Sequence, residues 1–124
     1  MNGSFVEVNG IRGYQLAVQG SELRTGSDAV DVMSAASEER AAFIVIPAER
    51  LGEDFFDLRT GIAGEIVQKF VMYGARVVIL GDISRRVAES KSLAAFVAEA
   101  NCGRNLWFVP TSEQLGVLLG TLRP

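Results

Sequence analysis

The sequence predicts a single α/β domain: a mixed sheet of about five strands, edged by an N-terminal hairpin, with four helices packed around it. Three observations lead there. Segments 42–47, 76–80 and 106–109 are short, continuously apolar and rich in branched or aromatic residues, as strands covered on both faces are. Between and after them, apolar residues recur at helical spacing. Near the start, Asn9-Gly10 separates two short strand-like segments and supplies the positive-φ pair that a tight hairpin needs. The 124 residues, 48% hydrophobic and 22% charged, suit one ordered domain that buries about two thirds of the surface its unfolded chain exposes.

Each element has its own local reason. The hairpin covers about 5–18. A Gly- and Ser-bearing connector follows, and Ser27 is the expected cap of a helix over about 27–37, whose Val30, Met33 and Ala36 share a face. Pro47 ends the 42–47 strand. The next helix runs over about 60–73, with Ile62, Ile66, Phe70 and Tyr73 on one stripe and Ala63 and Val67 beside it. Glu65 and Lys69 stand in the favourable i,i+4 order on its outer face, and Gly74 suits a left-handed C-terminal cap. With the 76–80 strand this completes a parallel strand-helix-strand crossover. A helix from Ser90 or Ser92 to Gly103 presents Leu93, Phe96, Val97 and Ala100, and the 106–109 strand follows. The last helix has Thr111 as cap and Gln114 three residues on, then a core stripe of Leu115, Leu118, Leu119 and Leu122. Phe70, Ile66, Ile44, Val78 and Phe96 are expected at the centre.

The charge balance excludes several functions. Twelve basic against fifteen acidic residues leave a net charge of −3, with no basic stripe of the kind that neutralises phosphates, so nucleic acid is not an expected partner. No apolar run approaches the roughly 20 residues that span a bilayer, and the first residues lack a signal-peptide layout, so a cytoplasmic protein away from membranes is expected. Cys102 is the only cysteine, and histidine is absent. Without them the usual zinc ligand sets and the usual general base are missing, and neither a catalytic residue, a metal nor a cofactor is assigned. Any catalysis would rest on carboxylates, lysine or a borrowed group.

Residues 54–109 carry Phe55-Phe56-Asp57-Leu58, Thr60-Gly61, Ala63-Gly64-Glu65, Gln68-Lys69-Phe70, Tyr73, Gly81-Asp82, Ser90-Lys91-Ser92-Leu93, Glu99 and Asn101. On these the chain resembles an uncharacterised bacterial family, domain of unknown function 4180. It departs at Met72, where Asn is expected, and over 85–89. The element order also resembles the STAS domains of anti-sigma factor antagonists, in which a polar turn leads from a buried strand into a helix and carries a phosphorylated serine or threonine. Here that turn is Leu58-Arg59-Thr60-Gly61. Only Thr60 and Gly61 match, and the switch serine coincides with Arg59, which cannot accept phosphate. This second resemblance implies a STAS-like topology and a regulatory, protein-binding role.

The candidate binding residues are Asp54, Asp57, Arg59, Thr60, Gly61, Asp82 and Ser84, expected to meet at one rim of the sheet. Thr60 is a cap at the start of the 60–73 helix and, alternatively, a phosphate acceptor. Glu53, Asp54 and Asp57 are dipole-favoured acids that with Asp82 could also frame a divalent cation or a basic partner patch. Gly81-Asp82-Ile83-Ser84 reads as an ordinary turn or a ligand loop. Ser90-Lys91-Ser92 does not place its lysine against a serine, Glu99 calls for an ion pair with Lys69, Lys91 or Arg104, and Cys102 reads as a small buried or half-buried filler. Gly61, Ala63 and Gly64 invite close packing. Phe55-Phe56 should bury one ring and lean the other on the surface, or anchor a partner.

Two functional expectations of different class follow. The first is a non-enzymatic regulatory or protein-interaction module recognising its partner through 53–61 and 81–86. The alternative is a small-molecule or anion-binding protein, possibly an enzyme using Asp57, Asp82 and Lys69 with a metal or nucleotide. Homo-oligomerisation through a strand edge or the small-residue helix face is a third course.

Overall fold

The computed structural model describes residues 3–121. Strands β1 (Gly3–Val8) and β2 (Ile11–Leu16) form the expected hairpin, and the positive φ of both Asn9 (53°) and Gly10 (79°) makes its two-residue turn type I′. β3 (Phe43–Pro47), β4 (Val77–Leu80) and β5 (Leu106–Val109) follow in parallel, within a residue of the predicted segments. The sheet order is β1-β2-β3-β4-β5, antiparallel only at the hairpin. The fold class is therefore α/β with a five-stranded mixed sheet.

The described residues form six helices rather than four: α1 (Gly26–Glu38), α2 (Glu53–Phe56), α3 (Ile62–Met72), α4 (Ser84–Ala88), α5 (Lys91–Asn101) and α6 (Ser112–Thr121). The two additions, α2 and α4, are too short to display an amphipathic period. Two 3-10 turns, Ala48–Arg50 and Leu58–Thr60, complete the elements of the described residues.

Register explains where the helices go. Each parallel crossover joins neighbouring strands in the same direction across the sheet, and crossovers of one hand then leave their helices on one face. That face carries Tyr14, Leu16, Ile44, Ile46, Val77, Ile79, Leu106 and Phe108, buried with Ala29 and Val32 of α1, Phe55 and Phe56 of α2, Ile66 and Phe70 of α3 and Leu93 of α5. α6 follows the last strand and has no crossover to close, so it takes the opposite face. There Leu115 and Leu119 cover Phe43, Val45, Val78 and Trp107, with Val6, Val8 and Ile11 at the border. Asn9 of the hairpin turn donates to the Gly116 carbonyl at 2.6 Å, which ties α6 across the sheet. Gly13 is required here, because the Phe43 ring occupies the place of any side chain at that position.

The helix ends follow their chemistry, with some corrections. α1 is capped by Thr25, not Ser27: Thr25 Oγ1 accepts from the Asp28 N–H and the Asp28 carboxylate accepts from the Thr25 N–H, a reciprocal box two residues earlier than expected. α3 ends as anticipated at Gly74 (φ 66°), with Ala75 N–H on the Phe70 carbonyl and Gly74 N–H on that of Val71. Tyr73, the capping residue, has left the stripe and is 64% exposed. Ser90 caps α5 and Thr111 accepts from the Gln114 N–H, both as expected. Leu122 lies outside the described residues. Of the expected central residues Phe70, Ile66, Ile44 and Val78 are buried; Phe96 is half-buried and packs edge-on against Phe108. Glu65 does not form its expected pair with Lys69: its carboxylate accepts the Gly26 N–H at the start of α1, where a negative charge is favoured, while the Lys69 stem covers Gly26.

Candidate functional site

The chain leaves β3 and β4 at the same end of the sheet, with Pro47 beside Leu80. The two departing segments touch directly. Gly81 (φ 151°) lies against Ala48 so closely that a Cβ there would stand 2.8 Å from the Ala48 Cβ. Beyond this contact, α2 and the Leu58–Thr60 turn on one side face α4 and the start of α5 on the other. An open cleft of about 560 Å³ separates them, lined by Glu53, Phe56, Asp57, Arg59, Arg86 and Ser90 among others.

Within the first wall every candidate has a defined partner. Asp57 accepts from the Arg59 N–H at 3.2 Å and, bidentately, from its guanidinium at 2.9 and 3.0 Å. That guanidinium, followed by the backbone amide, holds the Asp57 carboxyl below the usual carboxylate range. Arg59 is 91% exposed and projects at the mouth. The Thr60 hydroxyl shares its proton between the carbonyls of Asp54 (2.6 Å) and Asp57 (2.9 Å) and accepts from the Ile62 N–H. The α3 N-cap is Gly61, in the left-handed region at φ 80°, so Thr60 fastens α2 to α3 from just outside the helix instead of capping it directly. Gly61 is needed for that φ alone, since a Cβ on it or on Gly64 would meet nothing. Of the three small residues expected to pack closely, only Ala63 is buried.

The acids do not converge. Asp54 pairs with Arg24 at 2.8 Å, Glu53 with Arg86 at 3.0 Å and Asp57 with Arg59, so each carboxylate answers its own arginine. Among the described residues no three acidic side chains share a metal-binding geometry. In place of the cation frame considered for Glu53, Asp54, Asp57 and Asp82, the first three are neutralised pairwise and Asp82 turns to the Ser84 amide.

On the second wall, Asp82 accepts from the Ser84 N–H at 2.9 Å, an Asx turn that opens α4. The Ser84 amide, then its hydroxyl, lowers the Asp82 pKa. Asp82 and Ser84 are exposed at the same end as the cleft but are not among its lining residues. Ser90 is engaged by the Leu93 N–H, and both Phe55 and Phe56 are buried, with Arg86 stacked 4.6 Å over the Phe56 ring. Neither ring is thus a surface anchor: Phe56 forms a floor of the cleft and Phe55 is buried in the core beneath it. Cys102 is exposed, not a filler; Glu99 forms none of the expected ion pairs among the described residues. Asn101 instead emerges as structural, accepting the Phe108 N–H at 2.7 Å.

Sequence reasoning singled out Arg59 but missed Arg24, Arg50 and Arg86. Arg50 is 4% exposed, donates to the carbonyls of Ser21 (2.9 Å) and Ala17 (3.0 Å), and so pins the β2–α1 loop to the rim. Its one sequence trace is Gly20, whose φ of 146° and lack of a side chain make room for the guanidinium. Arg24 and Arg86 lie far along the chain from the acids they meet, and no local pattern announces them. A second hollow, about 440 Å³ at the opposite end of the sheet between Met33, Phe43, Tyr73 and Arg76, gathers none of the candidate residues. No helix among the described residues is long and apolar enough to cross a membrane.

Comparison with known families agrees with the motif reading. The family model described as Domain of unknown function (DUF4180) matches residues 8–119, and the chain belongs to that family. No curated protein and no solved structure matches it.

Proposed function

We propose that this DUF4180 domain is a non-enzymatic regulatory or protein-interaction module of STAS-like type, whose recognition surface is the rim around the α2–α5 cleft. The observation that carries the reading is the pairing of Glu53, Asp54 and Asp57 with Arg86, Arg24 and Arg59 at the surface. Such pairs contribute about 0.2–1 kcal/mol each and exchange partners readily, which suits a protein segment bearing charges of both signs. The chemistry available supports the same reading. The chain has no histidine, and Asp57 and Asp82 are held low, as ionised acceptors, where a general base would be tuned upward toward neutrality. Strand-to-helix topology adds a fold-level analogy to STAS domains, with Arg59 displacing the switch serine and Thr60 engaged by two carbonyls.

The test is trapping in the cell. A photo-crosslinking residue in place of Arg59 should yield a discrete adduct that the same residue in place of Val117, on the outer side of α6, does not. Identical adducts from both positions, or none from either, would rule the rim out as the recognition surface. The cleft volume favours a second reading, a small anionic ligand, since about 300–1,000 Å³ is the usual range of such sites. A ligand at about 100 times its dissociation constant adds roughly 2.7 kcal/mol, so a melting-temperature screen of inorganic phosphate and nucleotides distinguishes this reading from the first.

A further inference from the structure

The two edges of the sheet are finished differently. On β5 the outward Phe108 N–H is taken by the Asn101 side chain, and α5 packs alongside. On β1 nothing among the described residues pairs with the outer edge. Which groups it presents follows from one bond. Ala42 N–H donates to the Arg12 carbonyl, so Arg12, Tyr14 and Leu16 direct their backbone toward β3, and Ile11, Gly13 and Gln15 direct theirs toward β1. The register partners Val8, Val6 and Ser4 are thereby used, and the N–H and C=O groups of Gly3, Phe5 and Glu7 point outward. Among the described residues this edge has no proline, no lysine and no covering helix, and Glu7 is its one charge, so most of the devices by which sheets usually blunt an exposed strand are missing.

We propose that the outer edge of β1 pairs with the same edge of a second copy of this chain, antiparallel and centred on Phe5, joining two five-stranded sheets across a two-fold axis. Centring on Phe5 sets Phe5 against Phe5 and Gly3 against Glu7, so that all three outward residues of each chain find hydrogen-bonding partners. Centring on Glu7 would instead oppose two carboxylates. The side chains fit the first register. Phe5 is 43% exposed, with the Arg12 guanidinium 4.0 Å above its ring, and in the dimer its other flank meets the second Phe5. Gly3 has no side chain because the Tyr14 ring and hydroxyl occupy that place. Glu7 of the second copy, opposite Gly3, is therefore set within reach of the Tyr14 hydroxyl as an acceptor, twice by symmetry.

Sedimentation velocity over a concentration series tests this on the full chain. Wild type should show a monomer–dimer equilibrium. Phe5→Lys places like charges on the axis and should raise the dissociation constant on the order of tenfold or more. Glu7→Pro removes an outward N–H from each edge while leaving the β1–β2 ladder intact, and should do the same. Val117→Lys, at a 70% exposed site on α6, should leave the equilibrium unchanged. A wild-type protein that stays monomeric throughout the series overturns the proposal. So does a dimer that both β1 variants, still folded by circular dichroism, leave as tight as before.

Discussion

Removing the Asn101 side chain should destabilise the domain by an amount the structure sets. Asn101 ends α5, and its Oδ1 accepts the Phe108 N–H at 2.7 Å on the side of β5 that no strand covers. Phe108 is 8% exposed, so in Asn101→Ala its amide is left with little access to water. A buried donor without a partner costs about 1–3 kcal/mol. Unfolding entropy of about 2.1 cal/mol/K per residue, taken over 124 residues, is about 0.26 kcal/mol/K, which converts that cost to a fall in Tm of roughly 4–12 °C. Asn101→Asp separates this account from a general packing loss. Aspartate keeps the acceptor and adds only an unfavourable charge at a helix C-terminus, about 0.3–1 kcal/mol when exposed. Thermal melts should therefore order wild type, Asp, Ala from most to least stable. Hydrogen exchange followed by NMR should show the Phe108 amide exposed in the alanine variant alone. Equal losses for Asp and Ala, or an unchanged Phe108 amide in the alanine variant, would refute the hydrogen-bond explanation.

Three further outcomes are expected. Phe70→Ala, at a site 1% exposed between α3 and the sheet, should cost about 3–5 kcal/mol in denaturant titration, and a loss under 1 kcal/mol would mean α3 turns another face inward. Arg40, at φ 54° just past the end of α1, adopts a conformation that costs a side-chain-bearing residue about 1–2 kcal/mol; Arg40→Gly relieves it against an unfolded-state entropy of about 0.4–1 kcal/mol and should raise Tm slightly. Asp57 and Asp82 have lowered folded pKa values, so their contribution is present above the unfolded value near 3.8 and lost as pH falls through the folded ones. Tm measured from about pH 2 to 7 should drop below about pH 4, and Asp82→Asn should flatten that acid limb.

The parts of the fold legible in the sequence are those where one local rule acts alone. The 106–109 strand is four consecutive apolar residues, Leu106 to Val109, and is observed with the same ends; Ile66 and Phe70 mark the buried stripe of α3 by spacing alone. Segment 52–60 resisted reading because a four-residue helix and a 3-10 turn have no period to detect, and because burial of both Phe55 and Phe56 depends on how that turn folds onto α3 and α5. The motif residues Asp57 and Thr60 could be recognised as special, yet their bonds run to Arg59, Asp54 and Ile62 in a geometry no spacing rule specifies. Long-range partners were illegible in principle. Arg24 meets Asp54 thirty residues away, and Arg50 is buried by a loop that precedes it in the chain.

These arginines divide by burial, and the division bears on what the rim can do. Arg50 bonds only to backbone carbonyls in a site nearly closed to water, where charged-group hydrogen bonds are worth about 1.5–3 kcal/mol; it fixes the loop before α1 and has no exposed group to offer a partner. Arg59 and Arg24 pair in water, where the gain is under about 1 kcal/mol and is screened over a Debye length of about 8 Å. Arg86 stands between the cases, its charge on Glu53 and its guanidinium plane on the buried Phe56 ring. A charged partner that took over Glu53 or Asp57 would release Arg86 or Arg59 at small cost while the Phe56 floor and the Arg50 strap stayed in place. The rim thus combines a rigid frame with exchangeable charges, and rim binding that depends on such exchange must weaken with added salt. Binding indifferent to salt would mean that the apolar floor is the recognised element and that the surface pairs are bystanders.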